Sequence, residues 1–266
     1  MTTALASGVI RTHAVMGTMA SAHVHDRVEH AVIDAAVEST WAELDRLEAM
    51  FSTYRATSEI SRINCGELHL LDASPEVIEV IDACTWLEHA SNGAFRARRP
   101  GDAIVDPAGF VKGWAVELAA KCLDRAGLCH WYLAVGGDVQ TRGTTDDGSP
   151  WRIGIADPND GDPYAVRAMV EVDGLAVATS GTAARGRHLW DGRTDAPADS
   201  LASMTVVGRH LTWADAFATA AFVMGPDGVD WVTNFAGYRA LAITKQGDLL
   251  HRDDQWASPG TQPSIA

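Results

Sequence analysis

Five short strand-like runs follow one another without a regular alternation of helices: "WYLAV" (131–135), "WRIGIAD" (151–157), "YAVRAMVEV" (164–172), "LAVAT" (175–179) and "ASMTVVG" (202–208). Such a meander points to a largely antiparallel sheet, not to the doubly wound parallel sheet of a dinucleotide-binding domain. Asp173-Gly174 falls between two alternating or apolar runs, the pattern of a β-hairpin.

Helical patterns precede and follow the strands. Residues 26–50 carry Val28, Val32, Ala35, Ala36, Leu44 and Leu47 near a 3.6-residue period, with acidic residues on the other face. In "SPEVIEVIDACTWLEHASNG", Ser74 is placed to cap a helix, Pro75 to begin it and Gly93 to stop it. A third helix is expected from about residue 112 to 126, a fourth over 212–224 and a short one near 227–235, before a last strand in "RALAITKQGDLLH". Helices first, then strands, then a helix and a strand give an α+β fold. The expectation is one domain over residues 1–258, with helices packed on the sheet and a mobile tail at 259–266.

The formal net charge of −14 argues against a nucleic-acid partner, whose phosphates are met by Lys and Arg. An anionic ligand must therefore be held locally, by a metal or a few placed cations. No run approaches the roughly 20 apolar residues of a membrane span, so no stable membrane insertion is expected. The opening "MTTALASGVIRTHAVMG" is broken by Arg11 and His13 and has no early cysteine for a lipid anchor. The expected location is the cytoplasm. Cys65, Cys84, Cys122 and Cys129 show no CxxC spacing and read as reduced, mostly buried thiols.

In "TWADAFATAAFVMG" (212–225) almost every inward position is apolar, yet Asp215 and Thr219 lie four residues apart on one helical face. They suit a hard cation such as Mg²⁺, which takes one or two carboxylates together with waters and substrate phosphates. From this stretch alone the local reading is the commoner one, with Asp215 on the helix dipole and Thr219 bonded to a carbonyl. In "IVDPAGFVKGWAVE" (104–117), Asp106-Pro107 begin a turn, Gly109 permits close approach, and Lys112-Gly113 open a helix; this is a phosphate site or a turn with a surface lysine. "LAVGGDVQTRG" (133–143) has Gly136-Gly137 at a strand end, for a ligand or a tight turn. "ATSGTAARGRHLWDGRTDAP" (178–197) places Ser180-Gly181, arginines, His188 and Asp191 in one irregular segment. In "LEAMFSTYRATSEISRIN" (47–64), Tyr54 would cover a flat ring or pack on the sheet.

In order, "AVMGT", "FSTYRATSEISRIN", "NGAF", "VDPAGFVKG", "GGD", "ATSG", "RHLWD" and "ADAFATA" resemble the motif set of the FAD:protein FMN transferase (ApbE) family, from about Met16 to Gly225. The resemblance implies that Met16, Tyr54, Ala94, Phe95, Asp106, Lys112 and Leu189 line the flavin nucleotide. It implies Mg²⁺ held by Asp215, Thr219 and a main-chain oxygen at Gly109, with His188 orienting or deprotonating an attacking hydroxyl. The implied reaction moves FMN from FAD to a Ser or Thr hydroxyl of an acceptor flavoprotein and releases AMP. The same ligand set would serve an FAD pyrophosphatase, or an FAD-binding paralogue without turnover. Three positions depart from the pattern: Arg96 where the family commonly has Asp, Gly192 where it has Pro, and Asp195 where it has Gly. They put the shape of the 188–197 loop in question.

Overall fold

The computed structural model describes residues 8–98, 104–162, 164–181 and 189–258. His188 and the expected tail at 259–266 lie outside these residues. The chain opens on strands, not helices: β1 (Val9–Val15) and β2 (Thr18–Val24) form a hairpin that the sequence reading passed over. Met16 and Gly17 at its turn both have positive φ, 52° and 68°, the sign pattern of a two-residue I′ loop. Then come α1 (His30–Phe51), α2 (Glu59–Asn64), α3 (Pro75–Ala90) and α4 (Ala108–Arg125). As expected, the Ser74 hydroxyl accepts the Val77 N–H and Pro75 starts α3.

The remaining strands are β3 (Trp131–Val135), β4 (Asp138–Arg142), β5 (Trp151–Ala156), β6 (Val166–Val172), β7 (Ala176–Gly181), β8 (Leu201–Gly208), β9 (Arg239–Thr244) and β10 (Leu249–Leu250). Helices α5 (Leu211–Met224) and α6 (Asp227–Thr233) fall between β8 and β9. Eight strands form one sheet in the order β1-β2-β3-β4-β7-β8-β9-β10, every pairing antiparallel. The largely antiparallel α+β expectation holds.

The Asp173-Gly174 hairpin does not form. β6 pairs with β5 in a separate ribbon, while β7 returns to the main sheet between β4 and β8. Only Gly174 of the two turn residues has positive φ (63°), whereas a I′ loop needs both. The ribbon's reason is packing. Trp151, Ile155, Ala168, Val170 and Val172 cover Val177, Val207, Leu241 and Ile243 on one face of the sheet. The larger core, with the helices, lies on the other face.

Helix α5 is buried nearly all round, as a predominantly apolar helix tends to be, with Asp215 and Thr219 among its buried residues. Its alanines let β7, β8, α4 and α6 come close around it. Two smaller expectations fail. Cys65 and Cys129 are exposed, so the thiols are not mostly buried, although all four are free. Helix α4 begins at Ala108, four residues before the expected Lys112, because Pro107 precedes it and the Asp106 carboxylate accepts the Ala108 N–H at 3.1 Å. Among the described residues, no helix is long and apolar enough to cross a membrane.

Candidate active site and metal centre

Helices α4 and α5 meet along a seam with three rungs, four residues apart on α4. At the first, a Cβ on Gly109 would lie 3.4 Å from Thr219 Cγ2 and 3.1 Å from the Phe95 ring. At the second, the Gly113 N–H donates to Asp215 Oδ2 at 2.8 Å. At the third, Glu117 accepts both the Thr212 N–H (2.9 Å) and the Thr212 hydroxyl (2.7 Å). Numbers rise along α4 as they fall along α5, so the helices run antiparallel. A Cβ on Gly113 would meet the Leu211 carbonyl at 2.6 Å, and glycine is what permits this approach.

The seam gathers the three expected cation ligands. Asp215 is 2% exposed and Thr219 8%. Thr219 Oγ1 shares a hydrogen bond with Ser180 Oγ at 3.1 Å rather than with a local carbonyl, which removes the purely local reading of the pair. In a regular helix the Gly113 N–H serves the carbonyl of Gly109. Asp215 competes for that donor, and this makes the Gly109 oxygen the more available.

Lys112 sits beside the second rung. Its ammonium forms an ion pair with Asp138 and lies 3.4 Å from Asp215 Oδ1. Asp138 is fully buried at the start of β4, and its Oδ1 accepts the Thr179 N–H at 3.0 Å. Burial pushes the Asp215 carboxyl up, Lys112 pulls it back and Asp138 pushes it up again, for a net rise above the usual carboxylate range. Burial works to lower Lys112, but Asp138 and Asp215 outweigh it and hold the ammonium charged. Two carboxylates against one ammonium leave a net negative charge in a buried place, where such charge is costly until a cation meets it. Among the described residues, no three His, Cys, Asp or Glu side chains gather as a softer metal centre requires. Carboxylate, hydroxyl and carbonyl oxygens are instead the donors a hard cation takes, so the residues present fit Mg²⁺.

Of the other expected residues, Met16 lies at the β1–β2 turn, at the same end of the sheet as Asp138, and the Phe95 ring lies against Gly109. The Met16 N–H donates to Glu48 Oε1 (3.1 Å), while Glu48 Oε2 takes Arg55 (3.1 Å), which ties the β1–β2 turn to the segment carrying Tyr54. Tyr54 is 98% exposed, so its ring does not pack on the sheet. The β3–β4 turn, Gly136-Gly137, has φ of 59° and 95° and is a tight hairpin turn. It adjoins β2 through Gly136 N–H to the Met19 carbonyl, 3.2 Å. Ala94 and Phe95 are buried, and Asp106 is exposed next to Pro107. Leu189 is half-buried against the larger core, its carbonyl accepting the Ala198 N–H at 2.9 Å.

Several motif residues are framework. Asn64 holds Val105 by two bonds, Nδ2 to the carbonyl (2.9 Å) and Oδ1 from the N–H (2.8 Å), which sets where Asp106 begins its turn. Ser58 caps α2, and its hydroxyl donates to the Ser52 carbonyl at 2.6 Å. The departures are explained too. Arg96 pairs with Glu88 (3.2 Å) and crosses Gly192, where a Cβ would meet the Gly93 carbonyl oxygen at 2.5 Å and Arg96 Cγ at 2.6 Å, so this chain needs glycine there. Asp195 takes φ of 59°, the left-handed backbone for which glycine is the easier residue. Sequence reasoning did not single out Asp138 or Glu117, which the structure places beside the expected ligands, whereas it had drawn attention to Ser180. "GGD" was a visible signal for Asp138, a carboxylate directly after a glycine turn, but its burial against Lys112 was not.

The family model for the ApbE family matches residues 16–98 and 96–242. The chain belongs to the ApbE family. Proteins named FAD:protein FMN transferase are similar to it: that of Escherichia coli K12 is 30% identical over 200 residues, covering 70% of this chain and 56% of the relative. That of Vibrio cholerae is 30% identical over 211 residues, covering 73% and 62%. The chain thus spans a little over half the length of the curated relatives it matches. The solved structure of the flavin transferase ApbE from Vibrio cholerae superposes with a TM-score of 0.75 at 23% identity, covering 94% of this chain and 95% of that one. The ApbE protein of Thermotoga maritima gives 0.76 at 23%, covering 92% and 97%. At these identities the structures establish the shared fold.

Proposed function

We propose that this protein transfers the FMN part of FAD to a Ser or Thr hydroxyl of an acceptor protein, with Mg²⁺ bound at the α4–α5 seam. The observation that carries the proposal is the convergence of Gly109, Asp215 and Thr219 beside Lys112, in a chain whose relatives are named FAD:protein FMN transferase. Asp215, Thr219 and the Gly109 carbonyl would hold the cation, which supplies charge neutralisation to the pyrophosphate and the leaving phosphate.

The chain's own residues do the rest. Tyr54, with its ring free, offers a stacking surface to the isoalloxazine. Met16, Ala94, Phe95, Asp106 and Leu189 shape the walls of the nucleotide site. Lys112 brings a fixed positive charge to the phosphates in a protein that otherwise repels them. The acceptor hydroxyl attacks the phosphorus on the FMN side, and its proton passes to an imidazole nitrogen of His188. The bond from that phosphorus to the bridging oxygen breaks, and AMP leaves with the oxygen.

The test is incubation with FAD and a Ser/Thr acceptor protein, with and without Mg²⁺, followed by chromatography and mass measurement of the acceptor. AMP and a covalently flavinylated acceptor, both metal-dependent and both lost in Asp215→Ala, are expected. Free FMN and AMP with an unmodified acceptor would make the protein a pyrophosphatase. Tight FAD binding without AMP under any condition would make it a binder.

A further inference from the structure

Asp138 is the most buried charged group at the site and none of the proposed ligands. The β4–β7 ladder pairs Val139 with Val177 and goes no further toward the site, so the Thr179 N–H is served by the Asp138 side chain instead. That bond, on a strand directly after a two-glycine turn, fixes the carboxylate in place. Its second oxygen faces Lys112. Asp215 is fixed the other way: the Gly113 N–H holds Oδ2, leaving Oδ1 as the oxygen turned to Lys112, 3.4 Å away. One ammonium therefore stands between two immobile carboxylates and lies nearer to Asp138.

We propose that Asp138 is a positioning residue that keeps the Lys112 ammonium on its own side and so preserves the affinity of the Asp215–Thr219 site for a divalent cation. The inference rests on the metal-site reading above. In a buried setting an ammonium close to a single carboxylate neutralises it and stands where a cation would bind. With Asp138 charged, Lys112 is compensated there, and Asp215 Oδ1 keeps its charge for the metal. Without that counter-charge, Lys112 has Asp215 as its remaining carboxylate and becomes the cation's competitor. The arrangement also keeps Lys112 charged and placed beside the metal for the phosphates.

The prediction separates charge placement from structural support because a second substitution must undo the first. Mn²⁺ binding is measured by electron paramagnetic resonance on the purified full chain without FAD, and thermal melting checks the fold of each variant. The wild-type chain binds Mn²⁺ and Asp215→Ala does not. Asp138→Asn, which retains an oxygen for the Thr179 N–H, binds at least about tenfold more weakly, at the lower end of what outer partners of metal ligands contribute. Asp138→Asn combined with Lys112→Met returns to within about threefold of wild type, since the competing ammonium is gone. Undiminished binding by Asp138→Asn overturns the proposal, and so does a double variant as weak as the single one. Should the single variant not fold, the double variant, which removes both charges of the pair, decides: binding near wild type supports the proposal and weak binding overturns it. No Mn²⁺ bound by the wild-type chain would overturn the metal site and this inference together, whereas wild-type binding with unaffected Asp138→Asn overturns the inference alone.

Discussion

Gly113→Ala is the substitution that most directly tests the α4–α5 seam. The added methyl would lie 2.6 Å from the Leu211 carbonyl oxygen, 2.7 Å from Asp215 Cβ and 3.2 Å from Asp215 Oδ2. Carbon and carbonyl oxygen ordinarily come no closer than about 3.3 Å, so the helices must part by about 0.7 Å at this rung. Overpacking of a buried contact costs about 1–3 kcal/mol. Alanine's better helix propensity offsets about 1 kcal/mol of that. The expected net loss of up to about 2 kcal/mol lowers the melting temperature by up to about 6 °C in a chain of this size. The same displacement moves Asp215 away from Thr219 and Lys112, and misplacement on the ångström scale costs catalysis about a hundredfold. Differential scanning calorimetry and metal-dependent AMP release from FAD give the two readings. Gly161→Ala is the control, because a Cβ there meets nothing within 4 Å. It should leave stability within about 0.5 kcal/mol of wild type. A Gly113→Ala protein that melts higher and keeps full activity would refute the close approach and with it the geometry of the site.

Tyr54→Ala should leave the melting temperature unchanged, since the ring is 98% exposed, while weakening FAD binding. Loss of one aromatic stacking partner is worth about 1–3 kcal/mol, or roughly thirtyfold in Kd at the middle of that range; an unaltered Kd by fluorescence titration would place the flavin elsewhere. Asp195→Gly should raise stability by up to about 1 kcal/mol in a denaturant titration, because it removes a side chain from left-handed backbone; destabilisation would mean that the Asp195 side chain supports the loop. With an aromatic disulfide reagent at pH 8, Cys65 and Cys129 should react fast, while Cys84, buried and with its thiol pushed up to about 12, stays protected until unfolding. Rapid modification of Cys84 in the native protein would show the core at α3 to be open.

Some of this molecule is written in its local sequence. The cap and first turn of α3 follow from Ser74-Pro75, and the burial of α5 accords with its predominantly apolar sequence. The meander of strands announces an antiparallel sheet, and the ordered motifs give the family. These features are legible because capping, periodicity and motif spacing act over a few residues.

Other features depend on what arrives from far along the chain. Asp173-Gly174 has the composition of a hairpin turn, yet β6 leaves the sheet because its apolar face is needed to cover Val177, Val207, Leu241 and Ile243. The β1–β2 hairpin was missed because its two-residue turn uses Met16, not a residue that marks such turns, in the left-handed conformation. Gly192 and Arg96 read as separate departures until the arginine is seen lying across the glycine. The sequence placed Asp215 and Thr219 on one face, since helical spacing is a local property. That Asp138, 77 positions earlier than Asp215, shares one ammonium with it was decided by the tertiary structure alone, because partners in a buried charge cluster are chosen by proximity in space, which no local pattern encodes.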